Sequence, residues 1–246
     1  LWAPLQATAG LADGRRYVGD IDLDPEVAYQ FELGLDWHNN KYIFSPRVFY
    51  HHINDYIQGV QGEASAMQQM VANFIDTMVL GLPAPRPALL KFSNVDDKLY
   101  GIDANWSAAL SPNWQLAGTI SYVRGERRDT SDDLYRIAPL NAITSLTYLQ
   151  PTWQVSLEAE TVARQNKVSD ENNEQETGGY ALFNISGGYQ VASNVMVNAG
   201  VNNLFDRFYV SHLGGTNRAA GNSDLAPGDR MPGLGRSAYI NVNVDF

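Results

Sequence analysis

Along most of this chain, hydrophobic and polar residues alternate one by one. The apolar positions of the first such segment are Val27, Tyr29, Phe31, Leu33, Leu35 and Trp37, with Glu32 and Asp36 between them. A period of two predicts a β-strand with one apolar and one polar face. About nine strands are predicted, at residues 27–37, 42–50, 100–110, 114–122, 140–149, 153–160, 181–190, 195–202 and 238–246.

The connections between these strands alternate in length. The short ones lie near 39–40, 111–113, 150–152 and 192–194, and the long ones near 59–97, 124–138, 164–178 and 206–233. Outer-membrane barrels have short periplasmic turns and long extracellular loops, and their strands cross the bilayer in about 9–11 tilted residues. Trp37, Trp114 and Trp153 lie at strand ends, as an interfacial aromatic girdle requires. The pattern predicts an all-β, transmembrane, antiparallel up-and-down β-barrel.

In such a barrel the apolar face meets lipid and the polar face meets the lumen. The alternative is a soluble barrel, which this pattern would leave with a polar core. The composition narrows the function further, because the chain has 246 residues, no Cys and a net charge of -10. The absence of Cys excludes disulfide and thiolate-metal chemistry, and the negative net charge argues against nucleic acid as a partner. The sequence contains no run of 18 apolar residues, so no transmembrane helix is predicted.

The number of strands adds a constraint. The first and last predicted strands both run towards the short-turn end, which places the carboxy-terminus in the periplasm. Nine strands cannot close an even-numbered barrel, and an open edge in lipid leaves backbone groups unsatisfied. The chain is therefore expected to be the carboxy-terminal portion of a larger barrel.

Four segments, in this order along the chain, resemble motifs of the TonB-dependent outer-membrane receptors. They are Asp22–Glu26 with Glu32–Gly34, Asn94–Val95 with Tyr100–Asp103, the motif Asn203, Leu204, Phe205, Asp206 and Tyr209, and Gly235–Arg236 before an aromatic terminus. The resemblance covers essentially all of residues 1–246.

The resemblance implies a 22-stranded barrel closed by an amino-terminal plug domain, of which this chain would be about the last nine strands. The plug and the early strands would then be missing. The implied partners are outer-membrane lipid and lipopolysaccharide, the protein's own plug, the TonB complex through the missing amino-terminal region, and the barrel-assembly machinery. A last strand with Ile240, Val242, Val244 and Phe246 on one face resembles the signal that this machinery reads. No covalently bound cofactor is implied.

The family imports scarce metals or metal chelates across the bacterial outer membrane, with energy delivered through TonB. A ferric siderophore is the default cargo that the resemblance implies. A passive porin is a second alternative, although the N-L-F-D motif counts against it. An enzyme is not expected, because there is no G-x-S-x-G elbow and no serine is placed with His51, His52 and Asp55.

One group of residues favours copper or another soft metal instead. Met67 and Met70 lie in the longest loop, His51 precedes that loop, and His212 lies in the last loop. Thioether and imidazole ligands select soft or borderline metals. Residues 63–74 have helical composition, which would put both Met side chains on one face. The simpler interpretation is that Met67, Met70 and Phe74 pack the loop down.

Two charged runs allow weaker hypotheses. Residues 169–176 are rich in acids and could bind calcium, although a solvated, mobile loop tip is the simpler interpretation. Residues 124–129 could contact lipopolysaccharide or an anionic chelate, although a self-neutralising surface cluster is again simpler.

Overall fold

The structure, a computed structural model, describes residues 16–79, 88–217, 224–226 and 228–245. The helical elements are α1 (Ala66–Phe74) and a π-helical turn (Ile75–Val79). The strands are β1 (Tyr17–Val18), β2 (Val27–Gly34), β3 (Trp37–His38), β4 (Tyr42–Gln61), β5 (Leu90–Ala109), β6 (Trp114–Arg127), β7 (Asn141–Leu149), β8 (Trp153–Val162), β9 (Tyr180–Ala192), β10 (Val195–Asn202) and β11 (Ser237–Val244).

All strands belong to one sheet. Its order is β11-β10-β9-β8-β7-β6-β5-β4-β2, and each neighbouring pair is antiparallel. This is the up-and-down wall that the alternation predicts, and all nine predicted strands are present. Within the described ranges the sheet is open, with β2 and β11 at its edges. The short strand β1, which pairs in parallel with β5, was not predicted.

The register assigns every strand residue to one of two faces, because directly opposite residues point the same way. Leu33, Val48 and Ile102 stand side by side on the apolar face, with 61%, 39% and 38% of their surface exposed. Asp103 and Ser121 stand side by side on the polar face. In the described ranges these hydrophobic residues are left exposed on the sheet, as expected for a wall that meets lipid. None of the described helices is long and apolar enough to cross a membrane.

The first predicted strand is interrupted after Gly34, and Pro46 on the facing strand explains the break. Leu35 N donates to Pro46 O at 3.0 Å, but proline has no N–H with which to return the bond. Arg47 Nη1 donates to Leu35 O instead, at 2.8 Å, and Arg47 Nη2 binds Asp36. A Cβ atom at Gly34 would overlap the Arg47 side chain, so glycine leaves room for this arrangement. Pairing resumes at β3.

The longest predicted loop, 59–97, is wrong at both ends, because β4 and β5 each have 20 residues. Similarly, β6 continues to Arg127 where a loop was predicted from residue 124. A bulge at Asp55, whose φ is +57°, inserts one residue into β4 and exchanges its faces. The alternation is lost there, so the sequence pattern cannot reveal the strand. A tilted strand needs only about ten residues to cross a bilayer, so each strand of this hairpin is about twice as long as a crossing requires.

Candidate functional site

The predicted metal-binding Met67 and Met70 lie on one face of α1, at the tip of the β4–β5 hairpin. The helix begins with a capping box, in which Gln68 N donates to Ser65 Oγ and Ser65 N donates to Gln68 Oε1. The helix over this stretch was predicted. Met67, Met70 and Phe74 have 71%, 64% and 60% of their surface exposed. The interpretation that they pack the loop down is therefore wrong.

Other residues hold α1 in place. Ala72 is buried against Val18 and Leu89, and a buried ion pair joins Arg16 Nε to Asp76 Oδ2 at 3.2 Å. Residues 16–18 precede the first long strand, and they pack between this helix and the end of β5. The helix is thus fixed by its opposite face, which leaves the Met-bearing face free in the described residues.

His51 lies on the polar face of the wall rather than at the loop tip. Its Cα partners are Gln30 on β2 and Leu99 on β5. Its Nε2 atom is 3.6 Å from Glu32 Oε1, and its ring centroid is 5.2 Å from that of Phe49. His51 therefore faces a carboxylate on the wall and belongs to a different surface from the two Met side chains.

His212 is buried, with 2% of its surface exposed. Its Nδ1 atom is 3.0 Å from Thr177 Oγ1, and its Nε2 atom is 3.2 Å from Glu174 Oε1. Nδ1 thus shares a hydrogen bond with Thr177, and Nε2 lies close to the Glu174 carboxylate; both neighbours belong to the loop that joins β8 to β9. In this arrangement His212 fastens two loops together.

A third loop is bonded to the two loops that His212 joins. Arg136, between β6 and β7, donates its backbone N–H to Glu174 Oε1 at 3.0 Å and its Nη2 to Leu213 O at 2.8 Å. Arg230 Nη1 donates to His212 O at 2.8 Å. We call the residues Arg136, Glu174, Thr177, His212 and Arg230 the loop junction. It joins the loops 128–140, 163–179 and 203–236 at the long-loop end of the sheet.

The four candidate metal ligands are therefore spread over three surfaces: the α1 face, the polar face of the wall and the loop junction. Among the described ranges, no group of three or more His, Asp or Glu side chains is placed to hold a metal ion. Soft-metal binding by Met67, Met70, His51 and His212 stays a prediction.

The acidic run 169–176 is an ordered turn. Ser169 and Asn172 are fully buried, and Asp132 accepts hydrogen bonds from Asp170 N at 2.8 Å and Ser169 Oγ at 2.7 Å. A fully solvated tip is thus the wrong interpretation, and Asp132, which holds the turn, lies 37 positions earlier in the sequence than Ser169. A sequence pattern of short range could not have found it.

The motif Asn203 to Tyr209 forms the turn that leaves β10. Asn203 is 3% exposed and has a φ of +49°, a conformation that Asn tolerates better than most residues. Its side chain donates to Arg207 O and Leu234 O at 2.9 and 3.2 Å and accepts from Arg207 N at 2.8 Å. Asp206 Oδ1 accepts from Arg236 N at 2.8 Å. The Asn and Asp of the motif therefore tie the end of β10 to the start of β11.

The hydrophobic members of the motif anchor the same turn to β9. Leu204 N donates to Phe183 O at 2.7 Å, and the Phe205 and Phe183 rings meet edge to face at 5.5 Å. Tyr209 contacts the Tyr180 ring at 4.6 Å. Structural contacts thus account for the side chains of Asn203, Phe205, Asp206 and Tyr209, whereas Leu204 contributes through its backbone N–H.

The predicted assembly signal lies on the edge strand β11. Ile240, Val242 and Val244 have 70%, 59% and 42% of their surface exposed on the apolar face. They pair with Ala199, Val197 and Val195 of β10. Phe246 lies outside the described residues, and recognition by the assembly machinery stays a prediction.

The polar face carries a groove of about 400 Å³ across β8 to β11. Uncharged polar side chains line much of it, among them Gln154, Ser156, Asn198 and Asn241. Glu158 lies further along β8 on the same face, where Asn184 Nδ2 donates to its Oε1 at 2.9 Å. This face can hold a hydrated solute or a polar protein surface by hydrogen bonding.

Comparison with known proteins places this wall in a family. Residues 3–204 match the family described as TonB dependent receptor-like, beta-barrel. The chain is 24% identical, over 99% of its length, to the ferric enterobactin receptor PirA of Pseudomonas aeruginosa. It is 21% identical, over 77% of its length, to a second ferric enterobactin receptor of that organism. The chain spans 30% and 26% of the length of these two relatives.

Solved structures share the fold. The copper transporter OprC superimposes with a TM-score of 0.77 and 24% identity, over 92% of this chain and 32% of that one. The ferric yersiniabactin uptake receptor FyuA of Yersinia pestis gives a TM-score of 0.58 and 21% identity, over 90% of this chain and 30% of that one.

Proposed function

The chain belongs to the TonB-dependent receptor family as part of its outer-membrane β-barrel, and from that premise we propose that the complete protein imports a scarce metal or metal chelate. The observation that supports the proposal is the two-faced wall. Its apolar face suits lipid, and its polar face suits a hydrated passage or a plug domain. In this proposal the energy comes through TonB, acting on a plug supplied by the complete protein. The barrel segment contributes lumen wall and loops, and it carries no catalytic function.

A ferric siderophore is the first candidate cargo. Two relatives that match by sequence are named ferric enterobactin receptors, and one of them aligns with 99% of this chain. The names of these relatives support this cargo class, and the polar wall is compatible with it.

Copper, or another soft metal, is the second candidate, and the exposed face of α1 favours it. Met67, Met70 and Met78 are 71%, 64% and 74% exposed. Exposed thioethers on an ordered helix offer soft ligands to a metal in solution. The copper transporter OprC has the same fold.

The proposal also covers how the barrel is oriented in the outer membrane, how it is assembled and which lipids it contacts. The short turns and the carboxy-terminus face the periplasm, and the long loops face the exterior. The barrel-assembly machinery reads β11, and lipopolysaccharide surrounds the outer rim. A passive porin would share the wall but would not need TonB.

The test is uptake by cells that carry the complete receptor, supplied separately with ferric enterobactin and with copper. TonB-dependent iron uptake that is equal in the wild type and in the Met67→Ala/Met70→Ala variant would support the siderophore candidate. Copper uptake that falls in this double variant would support the soft-metal candidate. Uptake of neither cargo, or uptake that persists without TonB, would contradict the proposal.

A further inference from the structure

Asp97 is a buried carboxylate on the part of β5 that extends beyond the membrane. None of its surface is exposed, and neither carboxylate oxygen has a hydrogen-bond partner in the described part of the chain. Its neighbours across the sheet are Ile53 on β4 and Arg127 on β6. A buried carboxylate without hydrogen bonds is costly, and the adjacent guanidinium is its natural partner.

Arg127 is nevertheless bound to other carboxylates. Its Nε donates to Asp129 Oδ1 at 3.0 Å, and its Nη1 binds the carboxylate of Glu171. Glu171 belongs to the ordered turn in the loop 163–179, which Asp132 also fastens. Arg127 thus lies between the Asp97 carboxylate of the wall and the Glu171 carboxylate of the loop, and it binds Glu171.

We propose that Arg127 is a switch shared between the barrel wall and the loop 163–179. When Asp97 is protonated, it does not compete, and Arg127 holds Glu171. When Asp97 releases its proton to water, its charge draws Arg127 across the strand pair and the loop is loosened. Side chains opposite each other on adjacent strands are close enough for this exchange, since their Cβ atoms are about 4.5–5.5 Å apart.

The surrounding charges set the pH at which the exchange occurs. Burial raises the pKa of Asp97 to about 7; Asp129 and Asp96 raise it further, while Arg127 and Arg128 oppose the shift. Arg127 lowers the pKa of Asp129, which stays ionised in the neutral range.

Tyr56, on the neighbouring strand, also faces Asp97. Burial raises its pKa, with Asp97 and Glu26 adding to the shift, so it stays neutral. Asp97 is therefore the group around this switch whose pKa lies near neutrality.

The sign of the pH dependence follows by linkage. The loop-bound state has the higher Asp97 pKa, because Arg127 is turned away, so this state binds more protons. Acidification below about pH 7 therefore favours the fastened loop. As the pH rises through 7, that stabilisation is lost and the loop is released.

The experiment places a spin label on the loop of the complete receptor. The chain described here has no Cys, and Asp170 is exposed, so Asp170→Cys offers a defined labelling position. We expect the label to become several-fold more mobile between pH 5.5 and 8.5. In Asp97→Asn the label should stay immobile throughout, because an amide does not compete for Arg127.

Two further variants make the test specific. Asp96→Asn removes the same charge from the next position, on the opposite face of β5, and should keep the pH response with its midpoint moved to lower pH, because Asp96 helps to raise the pKa of Asp97. Glu171→Gln removes the loop partner and should leave the label mobile at every pH. A wild-type label that ignores pH would overturn the proposal, and so would a pH response that survives Asp97→Asn. Heat-modified electrophoretic migration verifies that each variant forms a barrel.

Discussion

At the residue scale, single polar side chains supply hydrogen bonds that the backbone of the sheet cannot make. Asn203 adopts a left-handed conformation and bonds to two other stretches of the last loop. Arg47 supplies the donor that Pro46 lacks. In both cases a side chain completes the hydrogen bonding of a strand end. Stability should therefore be sensitive at these two positions although neither lies in an apolar core.

The Asn203→Ala variant should lower the free energy of unfolding by about 2–3 kcal/mol, from lost hydrogen bonds and backbone strain. Asn203→Gly should recover about 1 kcal/mol of that loss, because glycine accepts a positive φ. Urea unfolding of the barrel in detergent measures both values. Asn202→Ala, at an exposed neighbouring position, is the control. Equal losses at 202 and 203 would contradict the assignment.

Arg47→Ala should lower the urea midpoint, and Pro46→Ala should reduce that effect. An alanine at position 46 restores the N–H that can bond to Leu35 O, so the arginine becomes less necessary. A double-mutant cycle measures the coupling. Additive effects of the two substitutions would show that the Arg47 guanidinium does not replace the N–H that Pro46 lacks.

At the element scale, the alternation predicted every long strand that crosses the membrane, because one face must be apolar there. It failed in the outer half of the β4–β5 hairpin, where the bulge at Asp55 exchanges the two faces and neighbouring segments bury residues such as Val60 and Leu90. The helix α1 was predicted from composition, but the face that packs was not. Ala72 packs against Val18 and Leu89. These partners lie in other segments of the chain, so the local sequence around the helix does not reveal the contact.

The two faces of α1 should respond in opposite ways to substitution. Met67→Ala/Met70→Ala should change the free energy of unfolding by less than about 0.5 kcal/mol per residue, because both side chains are exposed. Ala72→Leu should cost about 1–3 kcal/mol through overpacking against Val18 and Leu89. Thermal melts of the two variants test the contrast, and a double Met variant that melts earlier than Ala72→Leu would refute it.

At the scale of the whole molecule, the long loops act as one layer. The loop junction draws residues from three loops, and Arg16 with Asp76 fastens the helix at the hairpin tip. The sequence identified His212 as a candidate but assigned it to metal. Its partners Glu174 and Thr177 lie 38 and 35 positions away, and no local pattern connects them. Sites that depend on loop packing could not be read from periodicity.

Loss of one junction residue should therefore loosen several loops together. In Glu174→Gln we expect faster trypsin cleavage both at Lys167 and at Arg207, which lie in different loops. Glu176→Gln, which removes an exposed ion pair with Arg164, is the matched control. Mass spectrometry of the fragments gives the two rates. Acceleration in the loop 163–179 alone would show that the loops are independent.

The unequal strand lengths have a consequence for the profile of the receptor. A strand of 20 residues is about 66 Å long, whereas β7 has 9 residues and is about 30 Å long. The β4–β5 hairpin therefore extends well beyond the end of β7, and the loop 163–179 packs beside it, where Asn173 Nδ2 donates to Gln61 Oε1 at 2.9 Å. Atomic force microscopy of the complete receptor in reconstituted bilayers should record a raised feature over this sector. A particle that approaches the surface would meet α1 before any other helix or strand described here.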